Sequence, residues 1–156
     1  MISLQEVGKD FPQSIARRTL SRAAANGSIR AKGGRGHPYI VSEDEAQYLK
    51  DYWPVLSSLR EALRCEPVVQ EAVLFGSYAT GHAHAASDLD LMVDIKNASG
   101  VQMLHLKNRL EKRLGKFVDL YLFSDLQQNY KILEEIGKTG RPLINRKSFF
   151  SKIHHS

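Results

Sequence analysis

The chain has 156 residues, 42% hydrophobic and 25% charged, which argues against disorder or a fibrous repeat and leaves room for one or two small cores. No apolar run approaches the roughly 18 residues that cross a bilayer, and the N-terminus lacks a basic segment followed by an apolar one, so no membrane role and a cytoplasmic location are expected. The net charge of +5 is concentrated in residues 1–42, where seven basic side chains meet two acidic ones while the rest of the chain carries fifteen of each sign; a basic head on a neutral body points to a polyanion at that end.

In chain order, a short helix is expected over Leu4 to Lys9 and a second over Gln13 to Ala25, with Pro12 at the junction. Ile15, Thr19, Leu20, Ala23 and Ala24 form the apolar stripe of the second, and Asn26 with Gly27 stops it. Two strand-like runs, Ser28 to Lys32 and Tyr39 to Val41, flank Gly33, Gly34, Arg35 and Gly36, a hairpin with a basic tip. That glycine run lacks the Lys-Ser/Thr ending of a phosphate loop, which favours the turn. Two helices and a hairpin resemble winged helix-turn-helix and excisionase-like modules. The resemblance implies that residues 1–42 bind duplex DNA through Arg17, Arg18 and Arg22 on the helix and Arg30, Lys32 and Arg35 on the wing.

Ser42 and Glu45 form a capping-box pattern opening a helix that Pro54 should kink or restart on the way to Arg64, so residues 43–66 read as a connector. Cys65, the single cysteine, excludes an internal disulfide or a cysteine zinc cluster and reads as a buried or idle thiol. Over 67–146 strands alternate with helices: Ala72 to Phe75, Leu89 to Ile95 and Phe117 to Phe123 as strands, Val101 to Leu114 and Leu126 to Ile136 as helices. The first of these helices should bury Met103, Leu106, Leu110 and Leu114, with Gly115 as its cap. An α/β (α+β) layer with a small mixed sheet follows, and residues 147–156, including His154 and His155, form a tail.

Side chains on a strand alternate between faces, so Asp88 and Asp90 share one side while Leu89, Leu91 and Val93 pack on the other. Asp119 likewise opposes Val118, Leu120 and Leu122. If the strands are neighbours, three carboxylates converge on an unpacked face, and their repulsion calls for a hard cation, magnesium or manganese. Asp94 shares the face of Asp90 but lies beyond metal reach. Gly76 and Ser77 follow a strand and precede Tyr78, Ala79 and Thr80, which can open a helix; a glycine there permits close approach of a phosphate to backbone N–H groups. His82 and His84, in the intervening loop, read as solvent-exposed.

GSYATG, SDLDL and VDLY together resemble the minimal nucleotidyltransferase branch of the polymerase beta-like superfamily, whose signature is Gly-Ser, ten residues, then Asp-x-Asp; Gly76, Ser77, Asp88 and Asp90 match it without a gap. The resemblance runs from about Val68 to Asn145, closing on ILEEIGKTGRPLINR, and departs from the family at Thr80, where an arginine is usual. It implies a polymerase beta-like fold, ATP as substrate, metal ions held by Asp88, Asp90 and Asp119, and phosphates received by Gly76 and Ser77. It further implies an antitoxin that moves AMP to a hydroxyl of a small helical HEPN toxin. The alternative is a catalytically idle DNA-binding repressor or binding-only antitoxin; transfer to a small molecule or RNA end is disfavoured because no acceptor pocket has room to form.

Overall fold

The computed structural model describes residues 1–11 and 15–146. Pro12, Gln13, Ser14 and the tail 147–156 with His154 and His155 lie outside the described residues. The chain divides into two compact units, 1–56 and 57–156.

The first unit runs β1 (Ile2–Ser3), α1 (Leu4–Lys9), α2 (Arg17–Ala25), β2 (Lys32–Gly34) and β3 (His37–Val41), followed by the first half of α3 (Glu43–Arg64). Its strands form a sheet in the order β1-β3-β2, both pairs antiparallel. Leu20, Ala23 and Ala24 of α2 are buried as their stripe requires, and Phe11 stacks on Trp53 at 6.2 Å. Several boundaries differ from expectation, and β3 begins at His37 rather than Tyr39. α2 starts at Arg17 because Ala16 is extended (φ −59°, ψ 133°), its carbonyl accepting from the Thr19 and Leu20 N–H groups. The strand expected from Ser28 begins only at Lys32. The Ser28, Ile29 and Arg30 N–H groups are already used, by Asn26 Oδ1, Ala23 O and Glu45 Oε2, and cannot join a ladder. Gly34 pairs with His37, leaving Arg35 and Gly36 as a two-residue turn with both φ positive (54° and 88°), the twist a tight hairpin needs.

α3 is one helix through Pro54, so no separate helix restarts there, and the boundary between the units falls inside it. Ser42 Oγ accepts from the Glu45 N–H, as an N-cap should, and the Glu45 carboxylate holds Arg30. Cys65 is exposed rather than buried.

The second unit adds β4 (Val69–Phe75), α4 (Ser77–Thr80), β5 (Leu89–Ile95), α5 (Gly100–Leu114), β6 (Val118–Leu122), a 3-10 turn (Phe123–Leu126), α6 (Tyr130–Thr139) and β7 (Arg141–Asn145). The sheet order is β6-β5-β4-β7; β5 and β6 are parallel, the other pairs antiparallel. α5 buries Leu106 and Leu110, with Met103 and Leu114 half-buried, and Gly115 caps it at φ 66°. The helix expected over Leu126 to Ile136 is split, since Asn129 Oδ1 accepts from the Ile132 N–H and so starts a fresh helix at Tyr130. β7 is an addition to the expected strands, because Pro142 argues against one; an edge position tolerates it. No helix among the described residues is long and apolar enough to cross a membrane.

Candidate active site

The register of the sheet places the acidic residues. Phe75 of β4 pairs with Asp90 of β5, and Asp90 pairs with Asp119 of β6, so the three side chains form one row across three strands on one face. The next row on that face is Val73, Met92 and Tyr121. Asp88 lies exposed one residue before β5, delivered there by a turn in which Ser87 N–H donates to His84 O and Ser87 Oγ accepts from His84 N–H. Asp94 pairs with Glu71 towards the opposite end of the strands.

The carboxylate face is packed over half its length, contrary to expectation. Val73, Phe75, Met92 and Leu126 form a buried cluster covered by Tyr121 and by Ile132, Leu133 and Ile136 of α6. Phe75 and Tyr121 meet at 5.4 Å with their rings tilted by 56°. The aspartates therefore occupy the edge of an apolar floor rather than an open surface. Burial and the neighbouring charges of Asp119, Glu135 and Asp88, with a hydrogen bond that the protonated carboxyl donates to Asp119, push the Asp90 carboxyl up to about 6. Burial, then Asp90, Asp119 and Glu135, likewise raise the Tyr121 phenol. Glu135 was missed: helical periodicity places it on α6, but only the docking of α6 on this face brings its charge to Asp90.

Gly76 is shaped by the same row. It has φ 75° and ψ −156°, and a Cβ there would overlap Asp90 Oδ2. The glycine thus lets the turn after β4 lie directly against the carboxylate. The helix that follows is a single turn, Ser77–Thr80, so the Gly76–Ser77 segment offers local backbone and hydroxyl donors rather than the dipole of a long helix. Arg141, 1% exposed, donates from Nε to Ala79 O (2.9 Å) and ties that turn to β7. His82 and His84 are exposed, as read, with His82 Nδ1 3.1 Å from Thr80 Oγ1.

The donor set fits a hard divalent cation. Among the described residues no three His, Cys, Asp or Glu side chains form a ready ligand cage. Magnesium, however, is commonly held by one or two carboxylates together with substrate phosphates. Asp90 and Asp119, adjacent in register and carrying oxygen donors alone, supply such a pair. The ion pairs Arg109–Glu66 (2.7 Å) and Lys138–Glu134 (2.8 Å) involve neither of them.

A phosphate-admitting turn against paired carboxylates is the arrangement of a nucleotidyl-transfer site, and residues 57–149 match the family model described as polymerase beta, nucleotidyltransferase. The chain belongs to that family. This nucleotidyltransferase is 35% identical over 80 residues to a protein adenylyltransferase MntA of Thermococcus cleftensis, covering 51% of this chain and 81% of the relative. It is 34% identical over 92 residues to a putative protein adenylyltransferase of Methanocaldococcus jannaschii, covering 56% and 92%. These relatives place it in the minimal branch of the family. Two crystal structures share its fold at a TM-score of 0.50: a mutant of the toxin-antitoxin MntA-HpeT (21% identity, 64% of this chain, 87% of that one) and a toxin-antitoxin with AMP-PNP (23%, 64% and 87%).

The six basic residues expected to meet DNA are all exposed, and two of them line one cleft. Arg17 and Arg35 line a cleft of about 510 Å³ between α2 and the hairpin, with Ser21, His37 and Tyr39; Arg18, Arg22, Arg30 and Lys32 are not part of its lining.

Proposed function

We propose that this nucleotidyltransferase moves AMP from ATP to a hydroxyl of a partner protein, a small helical HEPN-type toxin, using magnesium or manganese, in the cytoplasm. The observation that carries the chemistry is the Asp90–Asp119 row abutting Gly76, which sets a cation-holding pair beside a phosphate-admitting turn. Asp88, Asp90 and Asp119 would hold the metal, which when bound neutralises phosphate charge and acidifies the attacking hydroxyl. Gly76 lets the β- and γ-phosphates approach the backbone, and the Ser77 hydroxyl donates to them. Asp119 takes the acceptor proton as the oxygen–phosphorus bond forms and pyrophosphate departs, so rate comes from positioning and charge neutralisation. The protein acceptor is supported by the relatives' names; the toxin, by the family resemblance and by the toxin-antitoxin complexes whose fold the chain shares.

Co-expression with the neighbouring gene should yield a complex in which mass spectrometry finds the neighbour carrying added AMP, and Asp88→Ala should remove that mass. An unmodified neighbour that never co-purifies counts against the partner. If calorimetry detects no metal-dependent triphosphate binding, the idle, binding-only alternative gains.

The concentration of positive charge in residues 1–42 favours a second role, binding of duplex DNA such as the protein's own operator. Arg17 and Arg35, facing one cleft from helix and hairpin, suit a phosphate backbone held between the two. Affinity should fall with salt at a slope of about −0.9 per phosphate contact, and replacing Arg30, Lys32 and Arg35 together should flatten it by up to about 2.7. Fluorescence anisotropy with promoter and scrambled duplexes tests this: negligible binding to both at low salt leaves the unit as a protein-docking element.

A further inference from the structure

The triphosphate side of this site contains no cation in the signature turn itself. Residues 76–81 are Gly-Ser-Tyr-Ala-Thr-Gly, and the Thr80 hydroxyl bonds back to Gly76 O and Ser77 O (3.4 Å each). Arg141 is buried against the C-terminal end of α4, on Ala79 O. A bound triphosphate would add several negative charges beside Asp88, Asp90, Asp119 and Glu135. Metal ions held by carboxylates offset only part of that charge, so a protein cation on the phosphate side would contribute directly to binding.

The topology brings one there. β6 is parallel to β5 with Leu89 opposite Val118, and the Leu89 N–H donates to Phe117 O (3.0 Å). Lys116 therefore enters the sheet at the end where β4 leaves it through Phe75, Gly76 and Ser77. Lys116 is exposed, and its Nζ lies 5.6 Å from the ring centroid of Tyr78, the residue that follows Ser77. Tyr78 is 6% exposed, so its ring is a fixed anchor. A cation over an aromatic face at an exposed site is held more weakly than by an ammonium–phosphate hydrogen bond.

We propose that Lys116 is the phosphate-binding cation of this site: its ammonium is parked on the Tyr78 ring in the free protein and moves to the β- or γ-phosphate when the triphosphate seats at Gly76 and Ser77. The flexible four-carbon stem allows the transfer without movement of the backbone. The proposal rests on the nucleotidyltransferase reading and gives Lys116 a role that arginine at position 80 would otherwise fill.

Calorimetry on the full chain with magnesium tests it, using AMP-PNP and AMP as probes. Lys116→Gln is expected to weaken AMP-PNP binding about tenfold or more while leaving AMP binding unchanged and lowering the unliganded melting temperature only slightly, and Lys116→Arg to restore most of the loss. A structural role would move both nucleotides together. Lys116→Gln that binds AMP-PNP as the wild type does, or that loses AMP equally, overturns the proposal. A wild-type chain that fails to bind AMP-PNP overturns both the proposal and the transferase reading, so the two failures are told apart.

Discussion

Asp90→Asn is expected to abolish nucleotidyl transfer and, at the same time, to stabilise the metal-free protein above pH 6. Asparagine keeps the shape that fits against Gly76 but removes the charge that pairs with a metal ion; a loss of about a thousandfold or more, ~4 kcal/mol of transition-state stabilisation, should follow. The stability effect has the opposite sign because the Asp90 carboxyl is raised to about 6 from an ordinary value of 3.8 by burial and by Asp119, Glu135 and Asp88. Between those two values the folded chain binds more protons than the unfolded chain, so wild-type stability falls as pH rises from about 4 to about 6, and the full penalty remains above that. Asparagine has no such penalty. With solvent screening discounted, its advantage at pH 7.5 should be on the order of 1 kcal/mol, disappearing near pH 4. Thermal melts of both proteins across that range, with and without magnesium, check this; magnesium should stabilise the wild type only. An Asp90→Asn protein that transfers AMP normally, or that is less stable than wild type at pH 7.5 without metal, contradicts this account of the site.

Gly76→Ala should be nearly as damaging to activity although it adds a single carbon. The added Cβ would overlap Asp90 Oδ2 and crowd Asp90 Cγ (3.2 Å), at a backbone φ of 75° that side chains other than glycine rarely adopt. Either the turn or the carboxylate must move, and a displacement near 1 Å in a positioned site costs about 10²-fold in rate; the backbone strain adds about 1–3 kcal/mol of instability. Gly137→Ala is the contrasting control. Gly137 lies within α6, and a Cβ added there would meet nothing within 4 Å, so alanine should stabilise by about 0.5–1 kcal/mol and leave transfer intact. Equal kcat/KM for Gly76→Ala and the wild type would show that the turn does not need its contact with Asp90.

Much of the transferase unit was legible because its signals are local. Leu89–Ile95 alternates with period two and forms β5 with those bounds; Gly115 caps α5 at positive φ; Ser42 receives the Glu45 N–H. Other elements went astray where a hydrogen bond outside the expected pattern claimed the backbone, or where the place of a strand in the sheet decided the matter. Ser28 to Arg30 has strand-like composition, yet Asn26, Ala23 and Glu45 take its N–H groups, so the ladder starts at Lys32. Pro142 argues against a strand until β7 is known to lie at a sheet edge.

By itself the sequence determined the chemistry on offer: two aspartates on one side of a strand, a third on another strand, and a glycine-serine turn at a fixed interval before them. Only the tertiary structure decided that Asp90 and Asp119 are abreast, since side-chain parity follows from φ and ψ within one strand whereas register depends on how two strands pair. It also decided that α6 covers half of the aspartate face, bringing Glu135 into the field at Asp90, and that Lys116 rests on Tyr78. Those placements depend on which apolar surfaces meet on folding; Ile132, Leu133 and Ile136 declare a face in the sequence but not the partner on which that face packs.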